Sequence, residues 1–134
     1  MRRLSKHLRW RRGQSMVEFA LIAPVFLIIF IGIFDGGRAI YAFSTVTNAA
    51  RAGARVAIVN QDASAIRQAA IGESVGLGLT NADITLTPCP LMEAGCLYGV
   101  TVRYPYAPVT PLIGDLFNPV ISSTVEMPVE RESP

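Results

Sequence analysis

Residues 16–34 read MVEFALIAPVFLIIFIGIF, an apolar run of 19 positions in which Glu18 is the only charge. At about 1.5 Å per residue, a helix of this length spans roughly 28 Å, close to the hydrocarbon thickness of a bilayer. A core helix that is apolar all round must be wrapped on every side, and the remaining chain is too short to do that. The pattern therefore predicts a transmembrane helix over 14–35. Past Asp35 the period persists, with Ile40, Phe43, Val46 or Thr47, Ala50, Ala54 and Ala57 recurring at three- and four-residue steps. That spacing places them on one stripe of a continuing helix, while Arg51 and Arg55 share another face. Alanines between positions 48 and 58 favour helix and permit close packing. One helix over 14 to about 59 is expected, its first half in lipid and its second half outside.

The remainder reads as a small mixed domain. A weaker helix is expected over 62–75, with Asp62 or Ser64 as N-cap and with Gly76 and Gly78 ending it. β-branched or alternating runs over 84–87, 98–104 and 121–127 predict strands. Between the last two, the Pro-rich stretch 106–119 carries Leu112, Ile113, Leu116 and Phe117, read either as a helical turn packing on the sheet or as an exposed contact surface. The tail 130–134 is expected to fray. The fold class is α+β: a long N-terminal helix, transmembrane and then periplasmic, packed on a small antiparallel β-sheet.

Charge orients this arrangement. Six of the twelve Lys and Arg residues precede Gly13 (Arg2, Arg3, Lys6, Arg9, Arg11 and Arg12), with no acid among them. From Gln14 onward six bases face ten acids, a net charge of −4. Basic residues stay on the cytoplasmic side, so the N-terminus is expected inside and the body exported, although Arg38, Arg51 and Arg55 follow the span. A folded basic patch is missing from the body, which argues against a nucleic-acid partner. No A-x-A-like site follows Phe34, as an ordinary secretory signal would require. The distinctive junction instead precedes the apolar run, at Arg11-Arg12-Gly13-Gln14-Ser15-Met16-Val17-Glu18.

Candidate chemistry is sparse. The single histidine, His7, lies ahead of Gly13, and the chain has no P-loop, nucleotide fingerprint or metal-ligand spacing, so no catalytic residue, metal, cofactor or small-molecule substrate is expected. Cys89 and Cys96 flank a Pro- and Gly-containing stretch. They form a small-loop disulfide if this part lies outside the cytoplasm, or remain ordinary thiols. A carboxylate inside a span is unfavourable, which makes Glu18 a candidate functional residue. The bland alternative places it at the interface, where the first helical turn suits an acid. Pro24 removes a backbone hydrogen bond within the span and is expected to kink it. Gly32, Gly36 and Gly37 either permit close helix approach or mark the exit from the membrane.

A glycine followed five residues later by a glutamate, between a basic tip and a transmembrane-length apolar run, resembles the processing site of prepilins. The stretch Arg12-Gly-Gln-Ser-Met-Val-Glu-Phe-Ala-Leu21, Pro24 and the Ala-Ala-Arg-Ala-Gly-Ala-Arg block at 49–55 more closely resemble TadE-like proteins of tight-adherence (Flp, type IVc) pilus systems. The resemblance covers roughly 11–58. It implies a pilin-like fold divided into a cleaved leader (1–13), a transmembrane helix (14–35) and an exported domain (36–134). It also implies cleavage after Gly13 by a prepilin peptidase, and docking of Glu18 onto the amine thereby exposed on Gln14 of a neighbouring subunit. The function implied is that of a minor pilin or pseudopilin in the bacterial inner membrane. Its partners are other pilins and the pilus assembly platform. Major Flp pilins are much shorter and typically carry Tyr where this chain has Phe19, which favours the minor-pilin reading. Two other readings share the topology: a single-span anchor displaying a small exported binding domain, and a type II secretion pseudopilin.

Overall fold

The computed structural model describes residues 5–89, 95–109 and 119–130, with side chains from residue 13 onward. Helix α1 spans Ser5–Ala57, 53 residues without a break. It starts nine residues before the expected boundary, because that boundary marked a processing site, and nothing in the preceding Arg-rich stretch stops a helix. A short extension continues past Ala57, with the Ile58 and Asn60 amides bonded to the Ala54 and Val56 carbonyls.

The face of α1 that packs is made of small residues. Ala42, Val46, Ala49, Ala50, Ala54 and Ala57 are buried, and Gly53 lies among them. Ile40 and Phe43, expected on this stripe, are instead exposed. Further along the helix the seam is tight. A Cβ on Gly53 would stand 3.2 Å from Val100 Cγ1 and 3.4 Å from Ala70 Cβ, so α2 and the sheet sit too close for large side chains. Arg51 and Arg55 are exposed on the opposite side.

Helix α2 (Ala63–Gly72) packs Ile66 and Ala70 into this seam. Asp62 caps it, accepting from the Ser64 and Ala65 amides at 3.3 Å each. The helix ends at Gly72, four residues short of Gly76. The chain then turns, and Gly76 (φ 84°) and Gly78 (φ 64°) adopt left-handed conformations that favour glycine. A 3₁₀ turn (Asn81–Asp83) follows, closed by the Thr80 amide and hydroxyl donating to Asp83 Oδ2 at 2.8 and 2.7 Å.

Three strands, β1 (Ile84–Thr87), β2 (Leu97–Pro105) and β3 (Val120–Pro128), form an antiparallel meander in the order β1-β2-β3. Each lies within one residue of its expected bounds. Strand β2 is central, pairing Val100 with Leu86 on one side and with Val125 on the other. Its alternate residues Tyr98, Val100 and Val102 turn inward onto α1 and are buried. On the outer face, Thr101 and Thr124 hydroxyls meet across strands at 2.8 Å. The architecture is therefore the expected α+β, pilin-like one, a long apolar helix packed by its later half on a small antiparallel sheet. The apolar patch at Leu112, Ile113, Leu116 and Phe117 and the tail beyond Glu130 lie outside the described residues.

The two ends of the sheet are tied differently. Beside the start of β2, Cys89 and Cys96 are joined by a disulfide with Cα atoms 6.0 Å apart. There the Val129 amide donates to the Cys96 carbonyl at 2.9 Å, and Gly95 donates to Val129 at 3.2 Å. At the other end, the Tyr106 amide donates to the Pro119 carbonyl at 3.0 Å, extending the β2–β3 ladder by one step toward the apolar half of α1.

Candidate membrane span and assembly surface

From Gly13 to Phe34, every residue of α1 except half-buried Ala23 is exposed. Fourteen large apolar side chains between Met16 and Phe34 project from this stretch with no part of the fold covering them. Water would penalise each by up to about 1.5–3 kcal/mol relative to burial, so a bare helix of this composition needs a nonaqueous surrounding. This segment is long and apolar enough to cross a membrane. Around Ala23 the side chains of Phe19, Ile22, Phe26, Leu27 and Phe30 frame a shallow apolar notch.

Glu18 sits on this bare stretch, one turn from Gln14, whose side-chain amide donates to Glu18 Oε1 at 3.2 Å. An exposed i,i+4 pair of this kind contributes only about 0.2–0.5 kcal/mol, too little to lock the carboxylate away from another partner. Pro24 lies inside the helix, where its ring leaves the Ala20 carbonyl without an i+4 donor. Gly13, Gly32, Gly36 and Gly37 have open space where a Cβ would stand, so no contact within the fold requires glycine there. Thus Gly13, Gln14, Glu18 and Pro24 share one uncovered stretch of helix, whereas Cys89 and Cys96 belong to the opposite end of the sheet.

Where the bare stretch meets the folded domain, a polar knot closes the junction. Asp35, 8% exposed, accepts the Val109 amide on Oδ1 at 2.9 Å and has Arg38 Nη1 at 3.8 Å. The Tyr106 hydroxyl donates to the Asp35 carbonyl at 2.8 Å, and the Arg38 guanidinium lies 5.6 Å from the Tyr106 ring centroid. One turn on, the Tyr41 hydroxyl donates to the Val75 carbonyl at 3.0 Å. Sequence reasoning treated Asp35 as the end of a span and missed this knot. The available signal was an acid at the margin of an apolar run, which calls for a partner.

These features suit a single-pass membrane protein whose folded domain is built on the continuation of its own apolar helix. Residues 13–55 match the family model for TadE-like protein. The matched segment runs from the glycine of the junction through the Ala-Ala-Arg-Ala-Gly-Ala-Arg block, so it takes in both the bare span and the packing seam. The chain is similar to that family over this segment. No curated protein and no solved structure matches the chain.

Proposed function

We propose that this chain is a minor pilin or pseudopilin of the Tad pilus system. It is anchored in the bacterial inner membrane with its N-terminus cytoplasmic and its α+β domain periplasmic. The observation that carries the proposal is the uncovered state of residues 13–34 within a helix whose continuation is the core of the fold. A subunit built this way can sit in the bilayer as a monomer, then exchange lipid for neighbouring helices without refolding its domain. The notch around Ala23 suits such packing, since helix association in lipid rests on close van der Waals fit.

In this reading a prepilin peptidase cuts between Gly13 and Gln14, separating leader 1–13 from span 14–35 and domain 36–134. Glycine at position 13 has no internal purpose, as alanine would fit and would favour the helix by about 0.8–1.0 kcal/mol. An external requirement, a cleavage pocket that admits no side chain, accounts for it. The cut removes six positive charges and creates an amine on Gln14. Glu18 of one subunit then pairs with that amine on the next, offsetting the desolvation of both and setting the axial stagger. Pro24, by freeing the Ala20 carbonyl, marks the point where the helix bends to pack. The other partners are fellow pilins and the assembly platform.

Mass spectrometry of the membrane form tests the proposal. The mature chain is expected to begin at Gln14; a chain beginning at Met1, in cells with an active prepilin peptidase, overturns it. Glu18→Ala is expected to be cleaved normally but to enter the pilus poorly, and wild-type incorporation would remove the docking role.

A further inference from the structure

The outer face of α1 does not turn polar where the apolar run ends. Ile40 is 72% exposed and Phe43 57% exposed, both beyond Asp35. Only then does the outward side become hydrophilic, through the exposed residues Ser44, Asn48, Arg51 and Arg55. Two other exposed apolar residues are tied to α1 between Asp35 and Tyr41 by hydrogen bonds already described. Val75 (74% exposed) follows from the Tyr41 tie, and Val109 (55% exposed) from the Asp35 tie. The result is a collar of Ile40, Phe43, Val75 and Val109 around the membrane-proximal end of the folded domain.

We infer that this collar docks the exported domain onto the lipid surface, so that residues 35–43 and the loops beside them lie in the headgroup layer. The inference rests on the reading of 16–34 as the span. Three observations select lipid as the occupant. The collar is continuous with the span on the same helix, and Ile40 stands about 9 Å beyond Phe34 at 1.5 Å per residue, at the outer margin of the headgroup layer. The polar groups at this depth are internally satisfied, since Asp35 is held by Val109 and Arg38 and the Tyr41 and Tyr106 hydroxyls each donate to a carbonyl. Finally, the collar combines aromatic and aliphatic side chains with Arg38, whose side chain is 41% exposed, a composition suited to an interface where phosphates are near. Glu73 beside Val75 is exposed and stays hydrated in that layer. Docking would fix the tilt of the domain relative to the membrane before assembly.

Tryptophan quenching by brominated lipids tests this on the full chain. The native Trp10 is replaced by Phe, and single Trp residues are placed by Phe43→Trp, Val75→Trp, Phe26→Trp and Arg55→Trp. All four positions are exposed, so the core is undisturbed. The proteins are reconstituted in phosphatidylcholine/phosphatidylglycerol vesicles with bromines either near the acyl carbonyl or near the chain end. Docking predicts that Phe43→Trp and Val75→Trp lose emission and shift blue with carbonyl-proximal bromines, independently of protein-to-lipid ratio, while Arg55→Trp does neither. Quenching at Phe26→Trp but not at positions 43 and 75 overturns the docking and leaves the span intact. Protection at 43 and 75 that grows with protein density identifies a second copy as occupant and likewise overturns it. A Phe26→Trp that is not quenched removes the span reading itself.

Discussion

Two stretches of one helix do opposite work with side chains of different size and polarity. Residues 16–34 carry large apolar side chains and touch nothing of their own fold, whereas 42–57 carry alanines and a valine and form its core. The difference teaches that a face of small side chains, backed by a polar one, suits a stretch to pack internally. A helix edged with Phe, Ile and Leu presents area to a fluid solvent or to many partners. One edged with Ala and Gly lets a sheet and a second helix approach to van der Waals contact, as Gly53 does with Val100. The knot at Asp35 marks the change from one regime to the other.

Substitutions that remove bulk separate the halves most sharply. Ile66, fully buried against the seam, is expected to cost about 2–5 kcal/mol when replaced by Ala, read as a lowered unfolding midpoint of the folded domain in detergent. Ile28→Ala, at a residue 70% exposed, is expected to leave that midpoint unchanged. Equal losses at the two sites would end the comparison. Adding bulk gives the converse. Gly53→Val forces a branched side chain against Val100 and Ala70 and is expected to destabilise by about 1–3 kcal/mol. Gly32→Val meets open space and is expected to spare the domain.

Much of this division was legible in the sequence. The span, the N-cap at Asp62 and three strands follow from local signals: an unbroken apolar run, a short acid before a helix, and β-branched alternation. The packing face was legible at Val46, Ala50, Ala54 and Ala57 but not at its start, where a hydrophobic-periodicity argument weights Ile40 and Phe43 over Ala42. Helix α1 begins at Ser5 because a cleavage motif is not a helix stop. The tie between Asp35 and Tyr106 joins residues 71 apart and depends on how far β2 runs along α1, which no local pattern encodes. The residues of the junction, Gly13, Gln14 and Glu18, were legible as a constellation. Their partners lie outside the chain, so their roles rest on the proposal.

Smaller effects probe the boundary. Tyr106→Phe deletes the hydroxyl that donates to Asp35 and is expected to cost about 0.5–1.5 kcal/mol of domain stability. A thermal-melting comparison checks it, and no change would mean that the knot does not hold the junction. Smallest are the pH effects far from the membrane. The Ser64 hydroxyl, aided by the Ser64 and Ala65 amides, holds the Asp62 carboxyl below its ordinary value. A carboxyl depressed on folding stabilises above its unfolded pKa, about 3.9, and that contribution is lost as pH falls through the lower folded value. Asp62→Asn is therefore expected to flatten the acid limb of a melting-temperature profile. Burial, partly opposed by Arg67, raises the Tyr98 hydroxyl, so its contribution is present below the ordinary tyrosine pKa and lost as pH rises through the folded one. Tyr98→Phe is expected to flatten the alkaline limb.

The most direct test of the contrast between the halves is labelling of single cysteines with a membrane-impermeant maleimide in intact spheroplasts, with Cys89 and Cys96 left in their disulfide. Arg55→Cys is expected to react from outside, while Phe26→Cys is expected to stay unlabelled until detergent is added. Phe26→Cys reacting as readily as Arg55→Cys would place the bare helix in water, and Arg55→Cys reacting only after lysis would place the folded domain on the wrong side; either result contradicts the account.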